Sequence, residues 1–150
     1  MKTILVPLDF SEATDSIIEV GREFAKMANA RIVLTHVLAV VANEVSSFVE
    51  EPESATGQLR DLELALRSEG FEVETSQLRG PPAASILAEA DRVEADYIVI
   101  GSHGHGAIYD VLIGSTASQI LKRAFCPVLI VPATRWKQTR GESNRRNAHA

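Results

Sequence analysis

Several features that would define the class of this 150-residue chain are scarce or missing. There is one cysteine, Cys126, so no disulfide can form within the chain. No apolar run approaches the roughly 20 residues that a membrane-spanning helix needs, and residues 1–10 lack the pattern of a signal peptide. We therefore expect a cytoplasmic protein with one domain, no membrane insertion, and a buried, unreactive thiol at Cys126.

Positive charge is also scarce in most of the chain. Residues 1–132 carry 10 Lys or Arg against 19 Asp or Glu, whereas residues 133–150 carry five basic residues and one acidic residue. Because nucleic-acid binding requires clustered cations, we expect no nucleic-acid partner for the acidic part. We interpret residues 133–150 as a disordered basic tail, with contact to an anionic partner as the alternative.

Apolar segments and helical spacing alternate along the chain. The predicted strands are Thr3–Leu8, Arg31–Leu38, Phe71–Leu78, Tyr97–Gly101 and Pro127–Pro132. Four are dense in Val, Ile and Leu with little polar alternation, as expected for strands covered on both faces, whereas the third alternates and is placed at a sheet edge. Strands alternating with helices predict an α/β fold, an open parallel sheet with helices on both faces.

Four helices are predicted between the strands from apolar residues at 3.6-residue spacing. Ser11 is the expected N-cap of the first, Gly70 the C-cap of the second and Pro82 the first residue of the third. Residues 39–57 show no sustained period and predict a long connection, with a short helix as a possibility within it. The apolar positions that define the helices are Ala13, Ile17, Val20, Phe24 and Ala28, then Leu59, Leu62 and Leu66, then Ala83, Ile86, Leu87 and Ala90, then Ala117, Ile120, Leu121 and Ala124.

Two predicted strand ends carry residues suited to a ligand. The first strand ends in Pro7, Leu8 and Asp9, and the fourth is followed by GSHGHGAIYDVLIGSTASQ, which begins at Gly101. Ligands of open parallel sheets bind beyond the carboxyl ends of the strands, where the strand order reverses. A helix beginning at Ser115 would present unpaired N–H groups and a positive dipole end, which suit a phosphate. The alternative is a flexible surface loop that Ser115 simply caps.

The stretch from Gly101 to Thr116 contains no Lys or Arg. It is not a Walker A motif, which requires Gly-Lys-Ser or Gly-Lys-Thr, and it does not follow the first strand as a dinucleotide fingerprint does. Lys122 and Arg123 lie about 10 Å along the helix from its start, too far to reach a phosphate there. Neutralising a triphosphate would then need Mg²⁺ or Mn²⁺, and phosphoryl transfer would lack its usual cationic clamp. This favours a nucleotide binder over a fast ATPase.

At these residues the chain resembles the universal stress protein family, over residues 2 to 132. The glycine pattern of that family's ATP-binding branch is G-x-x-G, nine residues, then G-[S/T], and Gly101, Gly104, Gly114 and Ser115 fit it without a gap. The opening KTILVPLDFSEAT and the closing CPVLIVP also resemble the family's first and last strands. The resemblance implies a Rossmann-like five-stranded parallel sheet in the order 3-2-1-4-5.

The resemblance also implies roles for individual residues. Asp9 would lie near the adenine and ribose, Val37 would offer backbone groups to the adenine edge, and Gly101 would lie near the ribose. The phosphates would be held by Gly104, Gly114, Ser115 and Thr116. The predicted site also includes Pro7, Leu8 and His103. The implied function is ATP-dependent signalling or adaptor activity in a stress response. The implied assembly is a homodimer through Val128–Val131, acting on a protein partner that the sequence leaves unknown.

Other interpretations stay open. A slow ATPase or nucleotidyl transferase on the same fold would rely on Asp110, the one acidic residue within the loop, and an interaction module with a degenerate site is a third possibility. Asp9 has an alternative role as a turn or cap residue. His103 and His105 share a spacing that a metal site could use, but with no clear third ligand we expect no metal bound by side chains. We expect His36 to be a packed residue.

Overall fold

The computed structural model describes residues 1–38, 52–103 and 113–132, with the backbone alone for residues 52 and 53. The strands are β1 (Lys2–Pro7), β2 (Ala30–Leu38), β3 (Val73–Arg79), β4 (Tyr97–Gly101) and β5 (Val128–Val131). The helices are α1 (Thr14–Ala28), α2 (Pro52–Ser68), α3 (Pro82–Arg92) and α4 (Ser115–Arg123). Among these described ranges, no helix combines the length and apolar character needed to cross a membrane.

The five strands form one parallel sheet in the order β3-β2-β1-β4-β5, which confirms the predicted fold class and strand order. β2 and β3 lie on one side of β1, and β4 and β5 lie on the other, so β1 is the central strand. The alternating third strand lies at the edge, as predicted. All strands run in one direction, so their carboxyl ends meet at one edge of the sheet, which we call the carboxyl edge.

Two apolar layers cover the sheet, one on each face. α1 and α2 pack on one face, where Ile17, Ala25 and Leu59 are buried, and α3 and α4 pack on the other, where Ile86 and Ile120 are buried. The central strands are therefore enclosed from both sides, which explains why their sequences are dense in Val, Ile and Leu.

The helices depart from the predictions in three places, two at their boundaries and one in a buried position. The N-cap of α1 is Ala13 rather than Ser11, because an additional turn precedes the helix; the hydroxyl oxygen of Ser11 accepts a hydrogen bond from the Ala13 N–H at 3.4 Å. Residues 52–57 of the predicted connection belong to α2, and the rest of it, residues 39–51, lies outside the described residues. Leu121 is 51% exposed rather than buried, because the buried positions of α4 are Ala117 and Ile120.

The thiol of Cys126 is partly buried at the start of β5, where it packs against the cluster beneath α3 and α4. Burial, followed by the negative charge of Asp96, raises the pKa of the thiol above its ordinary value. A thiol with a raised pKa carries less of the reactive thiolate at neutral pH. The structure thus supports the predicted lack of reactivity, with the thiol less deeply buried than expected.

Hydrogen-bonded charges stabilise the contact between α3 and the edge strand β3. Glu89 is only 4% exposed, and both of its carboxylate oxygens accept hydrogen bonds from Arg92, at 3.0 and 2.6 Å. Arg92 also donates to Glu74 on β3 at 2.6 Å. The hydrogen bonds from Arg92 are the main reason that the pKa of Glu89 is lowered despite its burial. α3 is therefore fixed against β3 by charged groups as well as by apolar contact.

Asp96 links the amino ends of β1 and β4. Its Oδ2 accepts the N–H of Thr3 at 2.8 Å, and Lys2 lies 3.5 Å from its other oxygen. The hydrogen bond from the Thr3 backbone is the largest cause of a pKa below the ordinary value for this carboxyl, with the charge of Lys2 adding to it. The ionised form of Asp96 therefore stabilises the sheet at its centre.

We predict that Asp96→Ala lowers the free energy of unfolding by about 1 kcal/mol at pH 7, the net value of one hydrogen bond. Since the folded-state pKa of Asp96 is depressed, its charge stabilises the fold above the unfolded pKa of about 3.9, and this stabilisation disappears as the pH falls through the lower folded value. Urea unfolding of wild type and Asp96→Ala at pH 7 checks the first statement. Unfolding of wild type and Asp96→Asn from pH 7 to pH 2.5 checks the second: these two stabilities should differ at pH 7 and converge in acid, and a constant difference would contradict the prediction.

Candidate functional site

The carboxyl edge brings the predicted strand ends together. β1 and β2 are paired as far as Pro7 and Thr35, and β1 is paired with β4 in a register that places Leu5 opposite Ile98. Continued along both strands, that register brings Leu8 level with Gly101. The predicted residues that lie at this edge are Pro7, Leu8, Asp9, Val37, Gly101, His103, Gly114, Ser115 and Thr116. Gly104, His105 and Asp110 lie outside the described residues.

The turn between β1 and α1 is organised by its own side chains. Oδ1 of Asp9 accepts the N–H of Ser11 at 3.0 Å, the hydrogen bond of an Asx turn. Asp9 therefore fills the turn role that was one of its two interpretations. Phe10, between them, has a φ of 57°, in the left-handed region that non-glycine residues rarely adopt. The backbone strain is thus located directly beside the candidate carboxylate.

His36, on β2, packs against this turn. It is 2% exposed, which confirms the expectation of a packed residue. Its Nδ1 lies 2.8 Å from the carbonyl oxygen of Leu8, and its ring lies 4.9 Å from that of Phe10, centroid to centroid. The imidazole thus contacts both residues that flank Asp9.

The packing of α1 on the sheet favours glycine at position 101. A Cβ at this position would lie 2.9 Å from Cδ1 of Ile17 on α1, closer than real side chains approach. The absence of a side chain lets α1 lie directly over the end of β4. Packing against Ile17 therefore favours glycine at this position, independently of any role in binding.

Ser102 connects three parts of the edge. Its N–H donates to the carbonyl of Val131 at 2.8 Å, which continues the pairing of β4 with β5, and its own carbonyl accepts the N–H of Gly114 at 2.6 Å. Its hydroxyl oxygen lies 3.1 Å from Nδ1 of His103. The start and the end of the stretch from Gly101 to Thr116 are thereby held together.

Gly114 makes that closure possible. A Cβ on Gly114 would lie 3.1 Å from the carbonyl oxygen of Ser102, so a side chain would press against the hydrogen-bonded backbone. α4 then begins at Ser115, as predicted, and Gly114 at its N-cap offers no side-chain hydrogen bond to the first turn. Ser115 is exposed. The helix thus presents backbone N–H groups and a hydroxyl outward at the carboxyl edge, an arrangement that suits an anion.

Two residues of this edge were missed by the sequence analysis. Ser102 could have been predicted from the sequence, because it is a polar residue directly after a buried strand and between two predicted site residues. Phe10 could not, because an aromatic residue in a left-handed conformation is a product of its packing against His36 and cannot be recognised from its neighbours in sequence.

Within the described part of the chain, no three His, Cys, Asp or Glu side chains lie close enough together to hold a metal ion. A groove of about 540 Å³ lies between α3 and α4, and its lining combines apolar residues, among them Leu87, Ile98 and Phe125, with the charged residues Asp91 and Arg123. It lies towards the amino ends of β4 and β5, so it is separate from the predicted residues.

Comparison with known proteins supports the resemblance. A model of the universal stress protein family matches residues 1–132. Universal stress protein MJ0531 of Methanocaldococcus jannaschii is 30% identical over 147 residues, which cover 87% of this chain and 81% of the relative. The solved structure of protein MJ0577 of the same organism has a TM-score of 0.75 at 28% identity, over 87% of this chain and 95% of that one.

A further solved structure shares the fold. It is a universal stress protein from Archaeoglobus fulgidus in complex with dAMP, with a TM-score of 0.66 at 24% identity, over 87% of this chain and 98% of that one. Strand order, family match and relatives agree with one another. The chain belongs to the universal stress protein family.

Proposed function

We propose that this protein binds an adenine nucleotide, ATP together with Mg²⁺ or Mn²⁺, at the carboxyl edge. The observation that carries the proposal is the closure of Ser102 on Gly114, which fixes the first turn of α4 at the end of β4. A helix start without a side-chain cap, beside a strand end that carries no bulky group, leaves backbone donors facing a ligand.

Residues at the strand ends and residues at the start of α4 would take different roles. The backbone of Gly114 and the hydroxyls of Ser115 and Thr116 would contact phosphate oxygens, with Gly104, outside the described residues, as a fourth member. Gly101 and His103 would lie near the ribose. Asp9, next to the strand end formed by Pro7 and Leu8, would lie near the ribose and base, and Val37 would contact the adenine edge.

One further fact supports a nucleotide, and a second indicates how the protein would use it. A structure with this fold, the Archaeoglobus fulgidus protein, holds dAMP, so the fold can accommodate an adenine nucleotide. In α4 the cations Lys122 and Arg123 are in the last turn, away from the phosphate end. Because phosphoryl transfer normally uses cations at the transferred phosphate, we propose a regulatory role in which bound nucleotide alters a contact with a partner protein.

We also propose that the protein forms a homodimer through β5. This strand ends the sheet, and the hydrogen bonds from Ile98 to Pro127 and from Ser102 to Val131 show which carbonyls face β4. Because backbone groups alternate in direction along a strand, those of Val128 and Ile130 face outward. Leu129 is 39% exposed and Phe125 96% exposed. Pairing would cover the outward groups and the apolar side chains, which an edge strand otherwise exposes.

We predict that ATP with Mg²⁺ raises the melting temperature of the purified protein and binds measurably in calorimetry, whereas Gly114→Val loses both effects. The valine would press on the carbonyl of Ser102 and displace the first turn of α4. Ser115→Ala is a milder variant, and it should weaken binding by roughly tenfold, as expected for one lost hydrogen bond to a charged group.

Gly57→Ala is the matched control for these variants. Gly57 lies in α2 with no atom within 4 Å of an added Cβ, so alanine should stabilise the helix slightly and leave the ATP affinity unchanged. Wild-type protein that neither carries a nucleotide after purification nor responds to added ATP would refute the proposed ligand. Mass spectrometry of nucleotide released on denaturation would identify the one that is bound.

We predict a dimer by light scattering at micromolar concentration, at twice the monomer mass of 16.3 kDa. Ile130→Pro removes an outward N–H without removing a hydrogen bond to β4, and Leu129→Lys places a charge in the interface, so each variant should be monomeric. Leu64→Lys is the control, because Leu64 is 57% exposed on α2 at the other end of the sheet. A wild-type monomer would refute the dimer and leave the nucleotide proposal intact.

A further inference from the structure

The hydrogen-bond pattern between β1 and β2 is interrupted at the candidate site. In a parallel pair, a residue that donates its N–H to one carbonyl offers its own carbonyl to the N–H two positions further along the neighbouring strand. Leu8 donates to the carbonyl of Thr35 at 2.8 Å. The next partner in the pattern would therefore be the N–H of Val37. Instead, the Leu8 carbonyl is bonded at 2.8 Å by a side chain, Nδ1 of His36.

The donor in this bond is defined by chemistry. A carbonyl oxygen can only accept, so Nδ1 of His36 carries the hydrogen. The imidazole is 2% exposed, and burial keeps water from competing for the carbonyl. The side chain of His36 thus satisfies a backbone group that Val37 would otherwise satisfy.

Phe10 holds the imidazole in this position. The two rings lie 4.9 Å apart with planes inclined by 41°, a packed aromatic contact. The φ of 57° at Phe10 is costly for a residue with a side chain, so the turn keeps this conformation because surrounding contacts stabilise it. The strained turn and the interrupted pairing therefore belong to one arrangement.

We propose that His36 is a positioning residue for base recognition: by bonding the Leu8 carbonyl, it keeps the N–H of Val37 available to the base of a bound nucleotide. The inference rests on the proposed nucleotide function and deepens it. The edge of adenine presents an acceptor at N1 beside the N6 amino donor, which suits a backbone N–H beside a carbonyl. Hypoxanthine carries a hydrogen at N1 and an oxygen at position 6. Its N1–H would face the backbone N–H and its oxygen would face the carbonyl, so neither hydrogen bond could form.

The consequence is selectivity for ATP over inosine triphosphate, which carries the same sugar and phosphates. Calorimetry with both nucleotides and Mg²⁺ should give the wild type at least about a tenfold preference for ATP, the effect of one hydrogen bond and its mismatch. In His36→Leu the Leu8 carbonyl would recapture the Val37 N–H, and the preference should fall to within about twofold. His36→Asn, whose side-chain amide can donate to the same carbonyl, should restore the preference.

A merely structural role for His36 predicts a different pattern. The affinities for both nucleotides would then fall by the same factor, in parallel with the melting temperature measured without nucleotide. The ratio of the two affinities would be unchanged. Leu66→Ala provides a destabilised control, since Leu66 is buried far from the carboxyl edge, in the last turn of α2. It should lower the melting temperature and keep the ratio.

A second variant tests the inference without changing His36. Val37→Pro removes the N–H itself, and because that N–H faces β1, the pairing of β2 with β3 keeps its hydrogen bonds. The preference for ATP should be lost here as well. A wild type that binds both nucleotides equally, or a His36→Leu or Val37→Pro protein that retains the wild-type ratio, would overturn the inference. A wild type that binds neither nucleotide would instead refute the proposed function.

Discussion

The hydrogen bond from the N–H of Gly114 to the carbonyl of Ser102 is the contact on which the candidate site depends. Ser102 is itself bonded to Val131, so the closure joins the start of α4 to the last two strands of the sheet. It brings two points separated by a long stretch of chain to within 2.6 Å, and a Cβ on Gly114 would lie only 3.1 Å from the carbonyl oxygen of Ser102. The direction of α4, and hence of its first N–H groups, follows from it.

Side chains hold the turn at the end of β1. Asp9 accepts the N–H of Ser11, and His36 contacts both Leu8 and Phe10, so the turn after β1 is held from within and from beneath. The carboxyl edge therefore carries backbone N–H groups and hydroxyls at the start of α4, and a carboxylate after the end of β1. Such an asymmetry suits a ligand with an anionic end and a neutral, hydrogen-bonding end, as a nucleotide has.

The glycines of the motif have two different physical functions. Gly101 makes room for Ile17, an apolar contact of the fold, whereas Gly114 makes room for a backbone hydrogen bond of the site. A sequence pattern cannot separate these, because both demands select the smallest residue. The match of Gly101, Gly114 and Ser115 to a family pattern is thus consistent with selection for packing as well as for binding.

The sequence by itself determined the parallel sheet, the edge position of β3, the family and the start of α4 at Ser115, because these follow from local patterns: apolar runs, periodicity and a glycine motif. It also placed Asp9 and Gly101 at strand ends. Tertiary structure alone decided that a turn separates Ser11 from α1, that Leu121 is exposed, and that His36 bonds the carbonyl of Leu8. Those outcomes depend on how neighbouring strands and helices meet, and contacts between residues far apart in sequence leave no periodic trace along the chain.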